Sequence, residues 1–304
     1  MPVGPVKSVV FLGTPEVAAG VLSELLSAGV QVEMVVTRPD AKRGRGGATT
    51  PSQVREVADS AGIPVAFSPQ DLLSLPPTAE RLGIVVAYGR IIPEEVLRAV
   101  PMVNIHFSRL PRWRGAAPVE RAILEGDDTT AADIMRVSVG LDEGDVFDEL
   151  EVTITDSHTA DSLRSDLAGR ATAKLIEHLR NGFTEPYPQS GEVSYASKIT
   201  KNDLAIDWSD SAARIDRVVR IGGGSAIFRN AEIKLRAVRV SSRDDASDPG
   251  EIVVAASGVF VACGDGWIEI SKIQPAGKKA MPAMDWARGA HICSGETFGS
   301  VKNV

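Results

Sequence analysis

Cysteine is scarce in this sequence, which has only Cys263 and Cys293 and no cysteine or histidine cluster at the spacing of metal ligands. We therefore expect neither a disulfide framework nor a metal site. The sequence also lacks an apolar run long enough to span a bilayer, and a charged N-terminal segment followed by an apolar stretch. These absences predict a cytoplasmic protein without a membrane partner.

Positive charge is also in short supply, because 33 Lys and Arg side chains stand against 40 Asp and Glu, giving a net charge of −7. This balance argues against a general nucleic-acid-binding protein. The deficit lies in the first part of the chain, since residues 206–304 hold 13 basic and 12 acidic side chains. Any contact with RNA must therefore depend on local basic loops and on the C-terminal part.

The length of 304 residues suits two domains, and no internal repeat is visible. Residues 182–205 contain glycine and proline but few large apolar side chains, which is typical of a linker. We predict a first domain over residues 1–185, a linker over 186–205 and a second domain over 206–304.

The first domain opens with the pattern of a parallel sheet. The apolar run 8–12 is followed by Thr14 and Pro15, which we expect to be the N-cap and the first-turn proline of a helix over 16–28. A strand is predicted next, at 32–37. A strand, a helix and a strand in close succession form a βαβ unit. No GxGxxG motif accompanies this unit, so a dinucleotide site is not supported.

Later segments complete a prediction of the fold class. Apolar runs predict strands at 82–88 and 102–106, alternation predicts an antiparallel or edge strand at 131–139, and residues 160–181 have the spacing of a helix. After a helix up to residue 219, short strands are predicted at 232–240, 250–254, 259–263 and 267–273. We therefore expect an α/β chain with a mostly parallel sheet first and a small closed or partly open β-barrel second.

The stretch from Val103 to Gly115 begins like a strand and ends like a polar loop. Asn104 and His106 are two residues apart, so on an extended backbone their side chains point to the same side. An amide and an imidazole placed in this way can stabilise negative charge on a carbonyl oxygen. A buried histidine satisfied by its neighbours would give the same pattern, and on these residues alone both interpretations stay open.

Two charged loops are further candidates. Asp142 lies in the acidic, glycine-rich turn 140–145 and is either a third member of the site or an ordinary turn aspartate. Loop 38–52 combines three glycines with a set of basic side chains: Arg38, Lys42, Arg43 and Arg45. We predict that this loop is mobile without RNA and meets a phosphate backbone, although a solvated loop would have the same composition.

Seven segments, taken in their order and spacing, resemble the methionyl-tRNA formyltransferase family over nearly the whole chain. They are FLGTPE (11–16), RPD with GRG (38–46), VAYGRIIP (86–93), NIHFSRLPRWRGAAP (104–118), VGLDEGD (139–145), IDWS (206–209) and QPAGKKAM (274–281). The resemblance implies a Rossmann-like N-terminal domain that binds 10-formyltetrahydrofolate as co-substrate. It also implies a C-terminal domain similar to an OB-fold barrel, which helps to hold tRNA.

The resemblance also implies roles for particular residues. The catalytic set of the wider family falls on Asn104, His106 and Asp142. The folate-binding set falls on Ser108, Arg109, Leu110 and Pro111, with Tyr88 and Gly89. The tRNA-binding set falls on the basic side chains of two loops: Arg38, Lys42, Arg43, Arg45, Lys278 and Lys279.

This chain departs from the family pattern at three places. The family usually has leucine at the position of Arg109. In the family, the basic loop that corresponds to 38–52 continues with lysines, whereas this chain has residues 47–50 without any basic side chain. The family also has an aromatic and proline-rich stretch after the first helix of the C-terminal domain, where this chain has residues 222–225.

The expected activity is transfer of the formyl group of 10-formyltetrahydrofolate to the α-amino group of methionyl-initiator-tRNA, by a monomer. In this reaction Asn104 and His106 would stabilise an oxyanion, while Asp142 keeps the imidazole protonated and accepts the proton of the amine. Three alternatives remain: formylation of a small amine such as an amino sugar nucleotide, hydrolysis of the formylfolate, and RNA binding without catalysis. Steep weakening by salt would favour a tRNA acceptor.

Overall fold

The computed structural model of the protein describes residues 4–42 and 49–301. The chain divides into two compact units. The first takes its described residues from Met1–Val119, Asp128–Ile154 and Ser162–Ser197. The second takes them from Glu120–Asp127, Thr155–Asp161 and Lys198–Val304. None of the helices in the described ranges combines the length and the apolar character that a membrane crossing needs.

Up to residue 197 the chain alternates strands and helices. The strands are β1 (Ser8–Gly13), β2 (Val32–Val36), β3 (Ala41–Lys42), β4 (Thr49–Thr50), β5 (Val65–Ala66), β6 (Arg81–Val86), β7 (Met102–His106), β8 (Arg114–Gly115), β9 (Thr129–Arg136), β10 (Val146–Thr153) and β11 (Tyr195–Ala196). The helices are α1 (Glu16–Ser27), α2 (Gln53–Ser60), α3 (Glu94–Ala99), α4 (Pro118–Glu125) and α5 (Ala160–Asn181), with a 3₁₀ helix at Pro69–Ser74.

The main sheet of the first unit has the strand order β10-β9-β7-β6-β1-β2-β5. From β5 to β7 all neighbours pair in parallel, whereas β9 and β10 are antiparallel. The continuous apolar run in β1 is explained by its central place, because Val9 to Leu12 are all fully buried. The predicted mostly parallel sheet is confirmed, and the carboxyl ends of β1, β6 and β7 meet at one edge, where such folds bind ligands.

The second unit is built on an antiparallel sheet. After a 3₁₀ helix at Asn202–Leu204, its elements are α6 (Ala212–Arg220), β12 (Gly224–Phe228), β13 (Ala231–Ser241), β14 (Ile252–Ala255), β15 (Gly258–Ala262), β16 (Trp267–Pro275), β17 (Met281–Pro282), α7 (Ala283–Ala290) and β18 (Gly299–Ser300). The strand order is β14-β15-β16-β13-β12-β18, with β17 paired to β16. A single bridge between Glu251 and Thr297 joins the two edges of this sheet, which confirms the prediction of a partly open barrel.

Several local predictions were wrong or incomplete. Thr14 does not cap α1, because Pro15 occupies the N-cap position and no side chain bonds there. Strands β10 and β12 and helix α7 were missed. Strand β10 was missed because its outward side chains are acidic and it follows an acidic turn. Strand β12 was missed because it begins within the glycine run 222–224, and α7 because it contains Gly289. The alternating strand predicted at 131–139 is antiparallel β9, which lies inside the sheet.

A salt bridge in the second unit predicts how its stability depends on pH. Arg121 Nη1 lies 2.7 Å from Asp203 Oδ1, and Thr200 donates to Asp203 Oδ2 from its backbone and its hydroxyl, each at 2.7 Å. The Arg121 hydrogen bond, with those from Thr200, lowers the pKa of Asp203 to about 2. A carboxyl with a lowered pKa stabilises the fold fully above about pH 4, and this stabilisation is lost as the pH falls through about 2.

We therefore expect Asp203→Asn to lower the free energy of unfolding by about 1–2 kcal/mol at pH 7, and the difference from the unmodified protein to shrink as the pH is lowered. Urea unfolding at several pH values measures this. The matched control is Asp210→Asn, a change at an exposed position in the same unit. An equal loss at pH 7 and at pH 2.5 would contradict the assignment.

Candidate active site

Strand β7 ends at the ligand-binding edge of the main sheet and carries Asn104 and His106 on one face. In the antiparallel register with β9, Asn104 lies opposite Met135 and His106 lies opposite Asp133. The intervening Ile105 is buried on the other face. The alternation expected from the sequence therefore holds, and it leaves Asn104 partly exposed while His106 is only 5% exposed.

The imidazole of His106 lies between two hydrogen-bond acceptors. Its Nε2 donates to the carbonyl oxygen of Trp113 at 3.0 Å, and because a carbonyl can only accept, this nitrogen carries a proton. Its Nδ1 lies 3.7 Å from Asp142 Oδ2, which is within ion-pair range but longer than a hydrogen bond. The structure thus brings His106 and Asp142 together, with Nδ1 as the ring atom on the side of the carboxylate.

Asp142 is held from three directions. Its backbone is in the left-handed region, at φ 52°, which aspartate tolerates better than most residues. Its Oδ2 accepts the backbone N–H of Gly115 at 2.8 Å, and its carbonyl accepts the side-chain amide of Gln189, also at 2.8 Å. The same amide donates to the carbonyl of Gly144 at 2.8 Å. These contacts fix both ends of the turn that carries the carboxylate.

After Pro111 the chain turns back towards His106 and Asp142 through a short pair of strands. Strand β8 pairs in parallel with β11, and a Cβ on Gly115 would lie 3.0 Å from the carbonyl oxygen of Ala196. Because Gly115 has φ 117° at this close approach, glycine is required there. This pairing places the Trp113 carbonyl on His106 and the Gly115 N–H on Asp142.

The predicted folate loop follows β7 directly. The Ser108 hydroxyl donates to the carbonyl of Arg112 at 2.7 Å, and the Leu110 N–H donates to Asp133 Oδ2 at 2.8 Å. The Leu110–Pro111 peptide is cis. Arg109 is the residue of this loop whose side chain is held by ion pairs: its guanidinium pairs with Glu149, at 2.9 Å, and with Glu151. Both glutamates lie on β10, a strand that we did not predict from the sequence.

A cavity of about 290 Å³ lies beneath this loop. Its lining residues are Arg109, Leu110, Asp133, Val146, Glu149, Tyr187, Gln189 and Ser190. Asp133 is 1% exposed, and burial raises its pKa well above the ordinary value, against the lowering effect of the Leu110 N–H. No pattern in the sequence pointed to Asp133 or to Gln189, because both make their contacts between distant segments.

Tyr88 and Gly89 follow β6 at the same edge of the sheet. Tyr88 is buried in a core cluster with Ile92 and Val96, and this burial raises the pKa of its phenol. The carbonyl of Gly89 accepts a hydrogen bond from Arg38 Nη2 at 2.8 Å. Arg38, predicted to contact RNA, therefore lies beside the predicted folate segment.

The other residues predicted to contact RNA lie in two loops, one of which is only partly within the described residues. Lys42 belongs to β3, while Arg43 and Arg45 fall outside the described residues, as does the centre of the loop that we predicted to be mobile. Lys278 and Lys279 are exposed in the turn after β16, where the carbonyl of Lys278 accepts the side-chain amide of Gln274 at 2.9 Å. Among residues 4–42 and 49–301 there is no group of His, Cys, Asp and Glu that could hold a metal ion.

A mostly parallel sheet with polar side chains at its ligand-binding edge, followed by a partly closed barrel, defines a two-domain α/β protein. Residues 6–179 match the family described as Formyl transferase, and residues 198–291 match the Formyl transferase C-terminal domain. The chain therefore belongs to the formyl transferase family.

Named relatives cover nearly the whole chain. A methionyl-tRNA formyltransferase from Corynebacterium diphtheriae is 39% identical over 306 residues, which is 94% of this chain and 98% of the relative. One from Thermobifida fusca is 41% identical over 307 residues, which is 95% of this chain and 98% of the relative.

Solved structures share the fold at lower identity. The N-formyltransferase from Helicobacter canadensis, solved with folinic acid and dTDP-3-aminofucose, has a TM-score of 0.64 and 17% identity. The match covers 89% of this chain and 99% of that one. At this identity the likeness shows the fold alone.

Proposed function

We propose that this chain transfers the formyl group of 10-formyltetrahydrofolate to the α-amino group of methionyl-initiator-tRNA, giving formylmethionyl-tRNA. The observation that carries the proposal is the His106–Asp142 pair beside Asn104, at the ligand-binding edge of the sheet. The acceptor is proposed from the relatives that bear the name methionyl-tRNA formyltransferase at about 40% identity, which do not favour a small amine or water.

Formyl transfer begins when the neutral amine attacks the formyl carbon and places negative charge on its oxygen. In the proposed site the Asn104 amide and the Nδ1–H of a protonated His106 donate to this oxyanion, each contributing roughly 3 kcal/mol. Nε2 is already committed to the Trp113 carbonyl, so Nδ1 is the ring nitrogen left for this role. In the proposed mechanism the Asp142 carboxylate, 3.7 Å from Nδ1, is the counterion of the imidazolium.

Asp142 also handles the proton in this proposal. The attacking nitrogen becomes positively charged as its new bond to carbon forms. Asp142 accepts a proton from it, directly or through a water, and passes that proton to the leaving N10 nitrogen as the old bond breaks. The carboxylate is 17% exposed, so a water molecule can reach it.

The residues around this site fit a folate. Val137 packs against the core cluster that contains Tyr88 and Ile92, so the segments 87–92 and 137–142 are anchored on one core. These segments present apolar side chains to solvent: Ile91 is 87% exposed, Val139 68% and Leu141 59%. A flat heteroaromatic ring would cover such surface. We propose that Tyr88 and Gly89, with the loop Ser108–Pro111, hold the co-substrate.

We propose that tRNA phosphates are bound by two basic sets: Arg38, Lys42, Arg43 and Arg45 in the first unit, and Lys278 and Lys279 in the second. Discrimination of the initiator tRNA and action as a monomer are part of the same proposal. Light scattering at working concentration measures the oligomeric state.

Labelled formyl transfer tests the proposed function. The protein is incubated with 10-formyltetrahydrofolate and with charged initiator tRNA, with charged elongator tRNA or without an acceptor. We expect formyl on initiator methionyl-tRNA alone. Equal release of formate in all three reactions would instead identify a hydrolase, and no reaction by the folded protein would direct attention to a small amine.

Salt dependence tests the lysines of the second unit. We expect the double change Lys278→Ala and Lys279→Ala to raise KM for methionyl-tRNA and to reduce the slope of log affinity against log salt by about 1–2, because each lost phosphate contact removes slightly less than one unit. The matched control is Lys7→Ala, whose side chain is 72% exposed. An unchanged slope would place the phosphate contacts elsewhere.

A further inference from the structure

The cavity beneath the loop Ser108–Pro111 contains a buried oxygen without a partner. Asp133 is 1% exposed and uses Oδ2 to accept the Leu110 N–H, but no other described group donates to its Oδ1. A buried polar atom left without a hydrogen bond destabilises a fold by roughly 1–3 kcal/mol. Asp133 is among the residues that line the cavity, although Oδ1 itself has almost no exposed surface, so a donor in the cavity reaches this atom only as the lining side chains move.

The lining of the cavity selects the chemistry of that donor. Its one cationic side chain among the described residues, Arg109, is already paired with Glu149 and Glu151. Asp133 is thus an acid with no cation paired to it in the described part of the chain, and a second acid, Glu149, also lines the cavity, so a cationic group is favoured over an anionic one. Tyr187, which is 47% exposed, adds an aromatic ring at the wall. A carboxyl group near an aromatic ring suits a compact ammonium ion, which brings three N–H donors and a positive charge.

The cavity adjoins the candidate active site through three of its lining residues. Asp133 lies directly opposite His106 in the β7–β9 register, where facing Cα atoms are about 5 Å apart. Leu110 belongs to the loop that follows His106, and Gln189 holds the backbone of Asp142 at 2.8 Å. A ligand group in the cavity would therefore lie on the same side of the sheet as Asn104 and His106.

We infer that this cavity binds the protonated α-amino group of the acceptor at the Asp133 carboxyl, whose carboxylate form the bound ammonium ion itself favours, before that group gives up a proton to solvent water and attacks as the neutral amine. The inference rests on the proposed function for the identity of the amine. It assigns Asp133 to capture of the acceptor, a role separate from the oxyanion and proton-transfer roles of Asn104, His106 and Asp142.

The test uses methionine methyl ester as a probe that carries the ammonium group without the tRNA, and N-acetylmethionine methyl ester as the matched probe without the charge. Binding is measured by NMR titration of the ¹⁵N-labelled full chain at pH 6. We expect the N-acetyl ester to bind at least about tenfold more weakly than the ammonium ester. Equal binding of the two probes would overturn the inference.

Asp133→Asn tests whether Asp133 is the group that binds the ammonium ion. Asparagine keeps an oxygen that can accept the Leu110 N–H but carries no charge. We expect affinity for the ammonium ester to fall at least about tenfold, while Asp166→Asn, an equal change of net charge on helix α5, binds the ester as the unmodified protein does. Tyr187→Leu, which leaves the buried acid in place, is expected to weaken binding about threefold. Unchanged binding in both Asp133→Asn and Tyr187→Leu would overturn the inference.

Formyl transfer separates this inference from the proposed function. If the unmodified protein formylates methionyl-tRNA, we expect Asp133→Asn to raise KM for the tRNA more than it lowers kcat, whereas an unchanged KM would overturn the inference and leave the function standing. If the unmodified protein transfers formyl to no tRNA, the proposed function fails, and the inference as stated fails with it. The probe titrations then report only whether the cavity binds an ammonium ion.

Discussion

Replacing Asp142 by asparagine is expected to lower kcat for formyl transfer by about 10²–10⁴-fold, the usual contribution of a positioned general base. Asparagine is nearly the same size and retains an oxygen that can accept the Gly115 N–H, a bond of 2.8 Å in the structure. The substitution therefore removes the charge that faces His106 Nδ1 at 3.7 Å but keeps the contact that fixes the turn. In the proposed mechanism His106 then loses its counterion, and the amine loses its proton acceptor.

The matched control for this experiment is Asp145→Asn. It removes a carboxylate from the same acidic turn, at a position 43% exposed and 3.8 Å from Arg136. Single-turnover transfer at saturating substrate concentrations compares the two variants, and we expect the control to stay within about twofold of the unmodified protein. Turnover at the unmodified rate in Asp142→Asn would exclude the assigned role.

The main sheet and one part of the site could be predicted from local patterns. The apolar runs of β1, β6 and β7 are uninterrupted because parallel strands are buried on both faces, so the sequence alone locates them. The side-by-side placement of Asn104 and His106 follows from the period of two in a strand. Their pairing with Asp142, 36 residues after His106, depends on a long-range contact, and only the family resemblance pointed to it.

The groups that hold this constellation could not be predicted. The carbonyl oxygen of Trp113, which accepts a hydrogen bond from His106 Nε2, is a backbone atom. No pattern of side chains in the sequence could therefore indicate this contact. Gln189 supports Asp142 only because β8 pairs with β11, which brings two segments together across some eighty residues. Such a pairing is decided by the whole fold and not by the composition of either segment.

Arg109 shows how a missed strand changes the interpretation of a site. From the sequence, a basic residue in place of the family's usual leucine suggested a change in the folate loop itself. The structure places its guanidinium on Glu149 and Glu151, alternate positions of β10, which point to the same side of that strand. The charge of Arg109 is thus matched within the chain.

Replacing Asn104 by leucine is expected to lower kcat by about 10²–10³-fold, because the substitution removes one donor to the developing oxyanion. Leucine keeps the branched shape of asparagine and is larger, at a position that is partly exposed. The Asn104 amide makes no hydrogen bond to any other described residue, so the fold loses no polar contact. Thermal unfolding should therefore change little, while Asn181→Leu at the end of α5 controls for the loss of an exposed amide. A loss of stability that accounts for the loss of activity would make Asn104 structural. A fall in kcat with KM for both substrates retained would instead mean that the amide acts mainly in the transition state, as the proposed oxyanion contact requires.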